Sequence, residues 1–457
     1  MNWTNIVSTQ RTGEESANAY LRTQFERDFD RLIFSSGFRR LQNKTQVFPL
    51  PGATFVHNRL THSLEVASVG RSLGKLAGNT IADTNALDDE MINFYRYELS
   101  SVVAAACLAH DIGNPAFGHS GEKAISNYFK ENANEKIDGQ PLKDFFNESE
   151  WNDLTNFEGN ANALRVLTHH FAGKTSGGMR LTYTTLAAIL KYPCESIASK
   201  KGIKHRSKYG FFQTEKTLVK DICQSLNMIC ESETPLIYKR HPFVYLTEAA
   251  DDICYSIIDM EDAQRLKIIS AETAEKYFLN VLEELGEGFI KMDRIKKTLA
   301  EIYDRNERIA YLRANCINVL TQQTAKIFAV ESESILNGSF NGSLTGSLYA
   351  QTESLKAIEK ISVSEIYNHE TVIEIEIAGY NVMSDLLKLF IPAALKQETK
   401  GRDEKVLRLI PKQFAIANAP TPYEKAIAVL DYVSGMTDLY ATELYKKVIG
   451  VEIPKHR

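Results

Sequence analysis

Residues 99–115, LSSVVAAACLAHDIGNP, decide the fold. The first eleven are almost wholly apolar, yet fall short of the about 18 uninterrupted apolar residues a membrane span requires. They predict a helix enclosed by other helices, which must end at Gly113 and Pro115. The next residues, His110 and Asp111, then place two metal-ligating side chains at the mouth of a buried helix. Adjacent residues diverge by about 100° in a regular helix. At a helix end the backbone can turn both toward one ion.

Outward from this stretch, helical periodicity dominates. SLEVASVGRSLGKLAG (63–78) carries a broad apolar stripe, and further helices are expected over 122–130, 160–171, 183–190, 215–231, 244–261, 271–285, 297–329, 351–360 and 377–396. TVIEIEIAG (371–379) alternates like a short strand. SESILNGSFNGSLTG (332–346) reads as a loop or flexible hairpin and marks the boundary between residues 1–330 and a C-terminal helical region, 331–457. The expected class is all-α.

The chain of 457 residues has 44% hydrophobic and 24% charged residues, ordinary for a globular protein, and a formal charge of −5. That balance disfavours a dedicated duplex-DNA binder, which needs a cationic face. The opening sixteen residues lack the apolar core of a secretory signal, so a cytoplasmic protein without membrane association is expected. Six scattered cysteines with no C-x-x-C pair read as reduced core residues. KKGIKHRSK (200–208) reads as a cationic loop, either a solvated surface segment or a contact for an anion or nucleic acid. AGKTSGG (172–178) fails as a P-loop because Thr168 stands where the first glycine is needed.

Chemistry concentrates at three further points. HNRLTHSLEV (57–66) puts Arg59 and His62 at i and i+3 before the apolar stripe. In EAADDICYSIIDMEDA (248–263), Asp251, Tyr255 and Asp259 share one face of a core helix, where an acid is costly unless paired or bound to a cation. His62, His110, Asp111 and Asp251 together form a mixed imidazole and carboxylate set suited to a divalent metal ion, Mg, Mn or another transition metal.

FRRLQNKTQVFPL (38–50), NRLTHSLEV (58–66), HDIGNPAFGHSGE (110–122), NFEGNANALRVL (156–167), LKYP (190–193) and the 248–263 segment, in this order, resemble the deoxyguanosine triphosphate triphosphohydrolase branch of the HD phosphohydrolases. The resemblance implies an HD-domain helical bundle that hydrolyses dGTP or other dNTPs to a deoxynucleoside and inorganic triphosphate. It assigns the metal to His62, His110, Asp111 and Asp251, and catalytic roles to His119, Glu122 and Glu158. Gln46, Tyr255 and Asp259 would surround the deoxyribose, with Arg59 and Lys191 on the triphosphate. Asn114 stands where many relatives carry histidine, which shifts weight to His119. The resemblance also implies a homo-oligomer, tetramer or hexamer, with a nucleotide or single-stranded DNA as effector. Two alternatives remain open: an HD hydrolase of another nucleotide, and a nucleotide-sensing, nucleic-acid-binding HD protein without turnover.

Overall fold

The computed structural model describes residues 1–13, 22–48, 56–174, 176–414 and 416–452. Pro49 and Leu50 of the 38–50 segment and Thr175 of the 172–178 loop lie outside them. The described residues are mainly helical, with two short antiparallel hairpins, Lys136–Ile137 with Gln140–Pro141 and Cys230–Glu233 with Leu236–Tyr238. No described helix is long and apolar enough to cross a membrane.

The helices that build the site are α1 (Arg59–Thr84), α2 (Leu99–Ala109), α3 (Gly118–Glu131), α4 (Gly159–Thr168), α5 (Val244–Arg265), α6 (Glu370–Leu395), α7 (Pro422–Ser434) and α8 (Asp438–Val448). Helix α2 is central: nine of its eleven residues are buried. Its main partner is α1, whose Gly70, Gly74 and Gly78 form a bare ridge toward it. A Cβ at Gly74 would lie 2.9 Å from Ser100 Cα, and one at Gly78 1.9 Å from the carbonyl oxygen of Tyr95 in the turn leading into α2, so only glycine permits this approach.

Two apolar clusters result. One gathers α1, α2 and α5 with Ala271–Leu285 and Arg305–Val330; the other joins α3 to α6 and α7. Ile112 belongs to the first and Ala116 to the second, so the His-Asp turn sits where one core passes into the other. Helix α6 also spans both, giving Val372 to the first and Val382 onward to the second.

The expected strand over 371–379 is instead the start of α6. Its alternation is local, whereas the buried set Val372, Gly379, Val382, Met383 and Leu386 follows helical spacing, and packing overrides β-propensity. The helix expected over 215–231 stops at Ser225; Asn227 at φ 48° turns the chain toward the second hairpin. The expected 297–329 helix is broken, into Met292–Glu301 and Arg305–Val330. Within 332–346, Ser332–Leu336 is helical and a further helix starts at Leu344. All six cysteines are free, and Cys230 alone is exposed.

Candidate active site

Helix α1 begins with a capping box. The Asn58 side chain accepts the N–H groups of Leu60 and Thr61 at 3.0 and 2.9 Å, and Arg59 N–H donates to the Lys44 carbonyl at 3.2 Å. This entry fixes Arg59 and His62 as the first core-facing side chains. The opposite wall comes from the end of α2. A Cβ at Gly113 would lie 2.1 Å from Ala163 N, so the turn after His110 can lie flat on α4 only with glycine there.

His62, His110 and Asp251 converge. The His62 Nε2 lies 3.1 Å from Asp251 Oδ1, and the His110 Nε2 lies 3.3 Å from the same oxygen. One ligand atom from each falls within 4.8 Å of the others. His110 Nδ1 donates to the Cys107 carbonyl at 2.6 Å, which leaves the lone pair on Nε2. That buried Nε2 has no hydrogen-bond partner. An unpartnered imidazole nitrogen facing a carboxylate and a second imidazole fits a divalent ion.

Asp111 is adjacent but differently engaged. Its Oδ1 lies 3.6 Å from His110 Nε2 and accepts from Asn114 Nδ2, while Oδ2 accepts from Arg59 Nη1 at 2.7 Å. Lys191 Nζ lies 3.2 Å from Asp251 Oδ2. Burial opposes the charge on Asp251, but His110 and Lys191 outweigh it and hold the carboxyl well below its usual range. Burial also opposes charging His110; Asp111 and Asp251 prevail and raise it to about 8. A bound cation would reverse that second effect.

Arg59 connects this set to a cleft of about 260 Å³ that Gln46, Arg59, His119 and Tyr255 line together with Thr45, Phe117, Lys123 and Tyr367. Gln46 Oε1 and Arg59 Nε are buried in its wall without partners. Such atoms are costly unless a ligand satisfies them. The ring of Tyr255 stacks on Tyr367, centroids 5.5 Å apart at 23°. The Tyr367 hydroxyl donates to Asp259 at 2.9 Å. Burial pushes Asp259 well above the usual carboxylate range.

Glu122 and Glu158 form an acidic pair beside His119. Glu122 accepts the Gly159 N–H at 2.8 Å, and no hydrogen bond joins it to His119. Glu158 accepts from Lys208 Nζ at 2.9 Å and Asn160 Nδ2 at 2.7 Å. Burial, then Glu158, pushes Glu122 up to about 7. Enclosure in the cleft, then the charges of Lys208 and Arg59, keeps His119 below its ordinary value.

Lys208, Tyr367, Lys44 and Asp438 escaped the sequence reading. Lys208 ends the 200–208 segment, whose charge admits both a surface and an anion-contact reading without singling out any one residue. Tyr367 and Asp438 lie in the C-terminal region, where no motif singles them out.

Residues 59–192 match the HD domain, and residues 349–447 match a phosphohydrolase-associated domain. A deoxyguanosinetriphosphate triphosphohydrolase-like protein of Synechocystis sp. is 36% identical over 99% of this chain and 100% of its own length. One of Listeria monocytogenes is 33% identical over the same shares. A deoxyguanosinetriphosphate triphosphohydrolase of Serratia proteamaculans is 32% identical over 94% of each chain.

Proposed function

As the chain belongs to the HD-domain family of deoxyguanosinetriphosphate triphosphohydrolase-like proteins, we propose that it hydrolyses dGTP, and other dNTPs to an extent set by the base, to the deoxynucleoside and inorganic triphosphate. The observation that carries this reading is the junction at Arg59. One end of its guanidinium meets the imidazole and carboxylate set, and its side chain lines a cleft whose polar atoms suit a sugar and a polyphosphate.

In this reading His62, His110 and Asp251, joined by Asp111, hold Mg or Mn. A divalent ion held there would supply Lewis acidity and a water of lowered pKa. Arg59 and Lys191, already held at Asp111 and Asp251, bind the triphosphate through charge-assisted hydrogen bonds. Water oxygen attacks the α-phosphorus, the bond from phosphorus to the 5′-oxygen breaks, and His119 gives that oxygen its proton. The negative polyphosphate raises the proton affinity of His119 once substrate is in place. Glu122, one helical turn from His119 and with its carboxyl raised to about 7 by burial and by Glu158, keeps a proton close to the imidazole.

Gln46 and Asp259 take the 3′-hydroxyl. Tyr255, braced by Tyr367, fills the space under the 2′-carbon and excludes a ribose. A homo-oligomer belongs to the same reading: Ile373 and Ile377, 41% and 59% exposed and one turn apart on α6, offer apolar surface that a second copy of the chain would cover.

The test is incubation with each dNTP, singly and mixed, with Mg or Mn, followed by chromatography. Deoxynucleoside and triphosphate in equal amounts, abolished in Asp111→Ala with circular dichroism unchanged, support the proposal. Monophosphate or diphosphate products would overturn it.

A further inference from the structure

The start of α8 touches both lips of the cleft. Asp438, 8% exposed, spends each carboxylate oxygen on a different lip: Oδ2 accepts the Thr45 N–H at 2.8 Å and Oδ1 the Phe117 N–H at 2.9 Å. Thr45 precedes Gln46; Phe117 precedes Gly118 and His119. All five residues line the cleft. Asp438 is not needed to cap its own helix, because Thr437 Oγ1 already accepts the Tyr440 N–H at 3.2 Å.

Further bonds reinforce the same junction. Lys44, 3% exposed, donates through Nζ to the carbonyls of Asn114 and, at 2.9 Å, Ser434. Asn162 Nδ2 donates to the Gly113 carbonyl at 2.6 Å and to Ser434 Oγ at 3.2 Å. Phe117 itself sits at φ 60° and ψ 19°, in the left-handed region that bulky side chains rarely adopt. Strained residues persist when their surroundings over-determine them. Here α6 presses on the Phe117 ring, since a Cβ at Gly379 would lie 2.4 Å from Phe117 Cβ, and Asp438 holds the N–H from the other side.

We propose that Asp438 is a positioning residue of the nucleotide site: by bridging the backbones of Thr45 and Phe117, it sets the spacing between Gln46, on the sugar, and His119, on the leaving oxygen. This rests on the triphosphohydrolase reading. An asparagine cannot replace it, because one amide oxygen serves one N–H and the amide nitrogen then faces the other. The associated C-terminal region thereby gains a part in the chemistry of the HD cleft without touching substrate.

The test compares Asp438→Asn and Asp438→Glu with wild type by two measurements. Hydrogen exchange reads the Thr45 and Phe117 amides directly, without reference to activity. The ratio of kcat/KM for dGTP to that for its 2′,3′-dideoxy analogue reads sugar placement, and it is independent of the fraction of active enzyme. In Asp438→Asn both amides should exchange faster, and the preference for dGTP should fall by about tenfold. Asp438→Glu, which keeps both acceptors, should recover most of each. Unchanged exchange, or faster exchange with the wild-type ratio, would overturn the proposal. So would an equal loss on both substrates, the mark of a purely structural role. A wild-type protein inert toward every dNTP would instead defeat the functional reading, whatever the exchange data show.

Discussion

Replacing Arg59 with methionine tests whether Asp111 belongs to a cation-binding set. Arg59 and Asp111 are 5% and 7% exposed, and their contact is 2.7 Å. Removing one partner of a buried pair leaves the other charge uncompensated, at a cost of about 3–5 kcal/mol. An unfolding entropy of about 2.1 cal/mol/K per residue over 457 residues gives about 1 kcal/mol/K, so the melting temperature should drop by about 3–5 °C in EDTA. Saturating Mn should restore much of that drop, because the ion then neutralises Asp111 without competition from the guanidinium. Its stabilising effect should therefore be larger in Arg59→Met than in wild type, although turnover is lost with the phosphate contact. Differential scanning calorimetry of both proteins, with EDTA and with Mn, reads all four quantities. An equal Mn-induced rise in the two proteins would refute the reasoning, as would an Arg59→Met protein that melts with wild type in EDTA.

Other outcomes follow from single contacts. Tyr367→Phe removes the donor to Asp259 and should lower the dGTP preference over the dideoxy analogue by about tenfold while leaving metal affinity intact, as steady-state kinetics and a metal titration will show. Glu122, raised from 4.5 to about 7, binds its proton more tightly in the folded chain than in the unfolded one, so stability falls as pH rises between those values. Glu122→Gln should then melt above wild type at about pH 8 and close to it at about pH 5, measured without metal. Arg165 donates to both oxygens of Asp431 at 2.7 Å and to Glu215 at 2.9 Å in a buried cluster that fastens α7 to α4. Arg165→Met should cost about 3–5 kcal/mol in denaturant unfolding.

The legible parts of this fold and site are those that local pattern specifies. An apolar run such as 99–109 admits little besides a central helix, and the His-Asp pair at its end is visible because Gly113 and Pro115 stop that helix. His62, His110 and Asp251 could be grouped from sequence, and the structure brings their ligand atoms together. The 371–379 alternation has a strand period over only nine residues, and the helical spacing that continues to Leu395 prevails over it. Asp438 was illegible for a different reason. Its two partners lie 393 and 321 residues away, and an acid in the first turn of a helix has an ordinary local explanation. Lys208 likewise becomes meaningful only when folding sets it against Glu158.

The central claim is attack of water at the α-phosphorus with departure of the whole triphosphate. Hydrolysis of dGTP in heavy-oxygen water, with the products read by mass spectrometry, tests it most directly. One heavy oxygen is expected in the inorganic triphosphate and none in the deoxyguanosine. Label in the deoxyguanosine would place the cleavage at carbon, and labelled monophosphate, pyrophosphate or orthophosphate would place it elsewhere in the chain; either result excludes attack at the α-phosphorus with loss of the whole triphosphate.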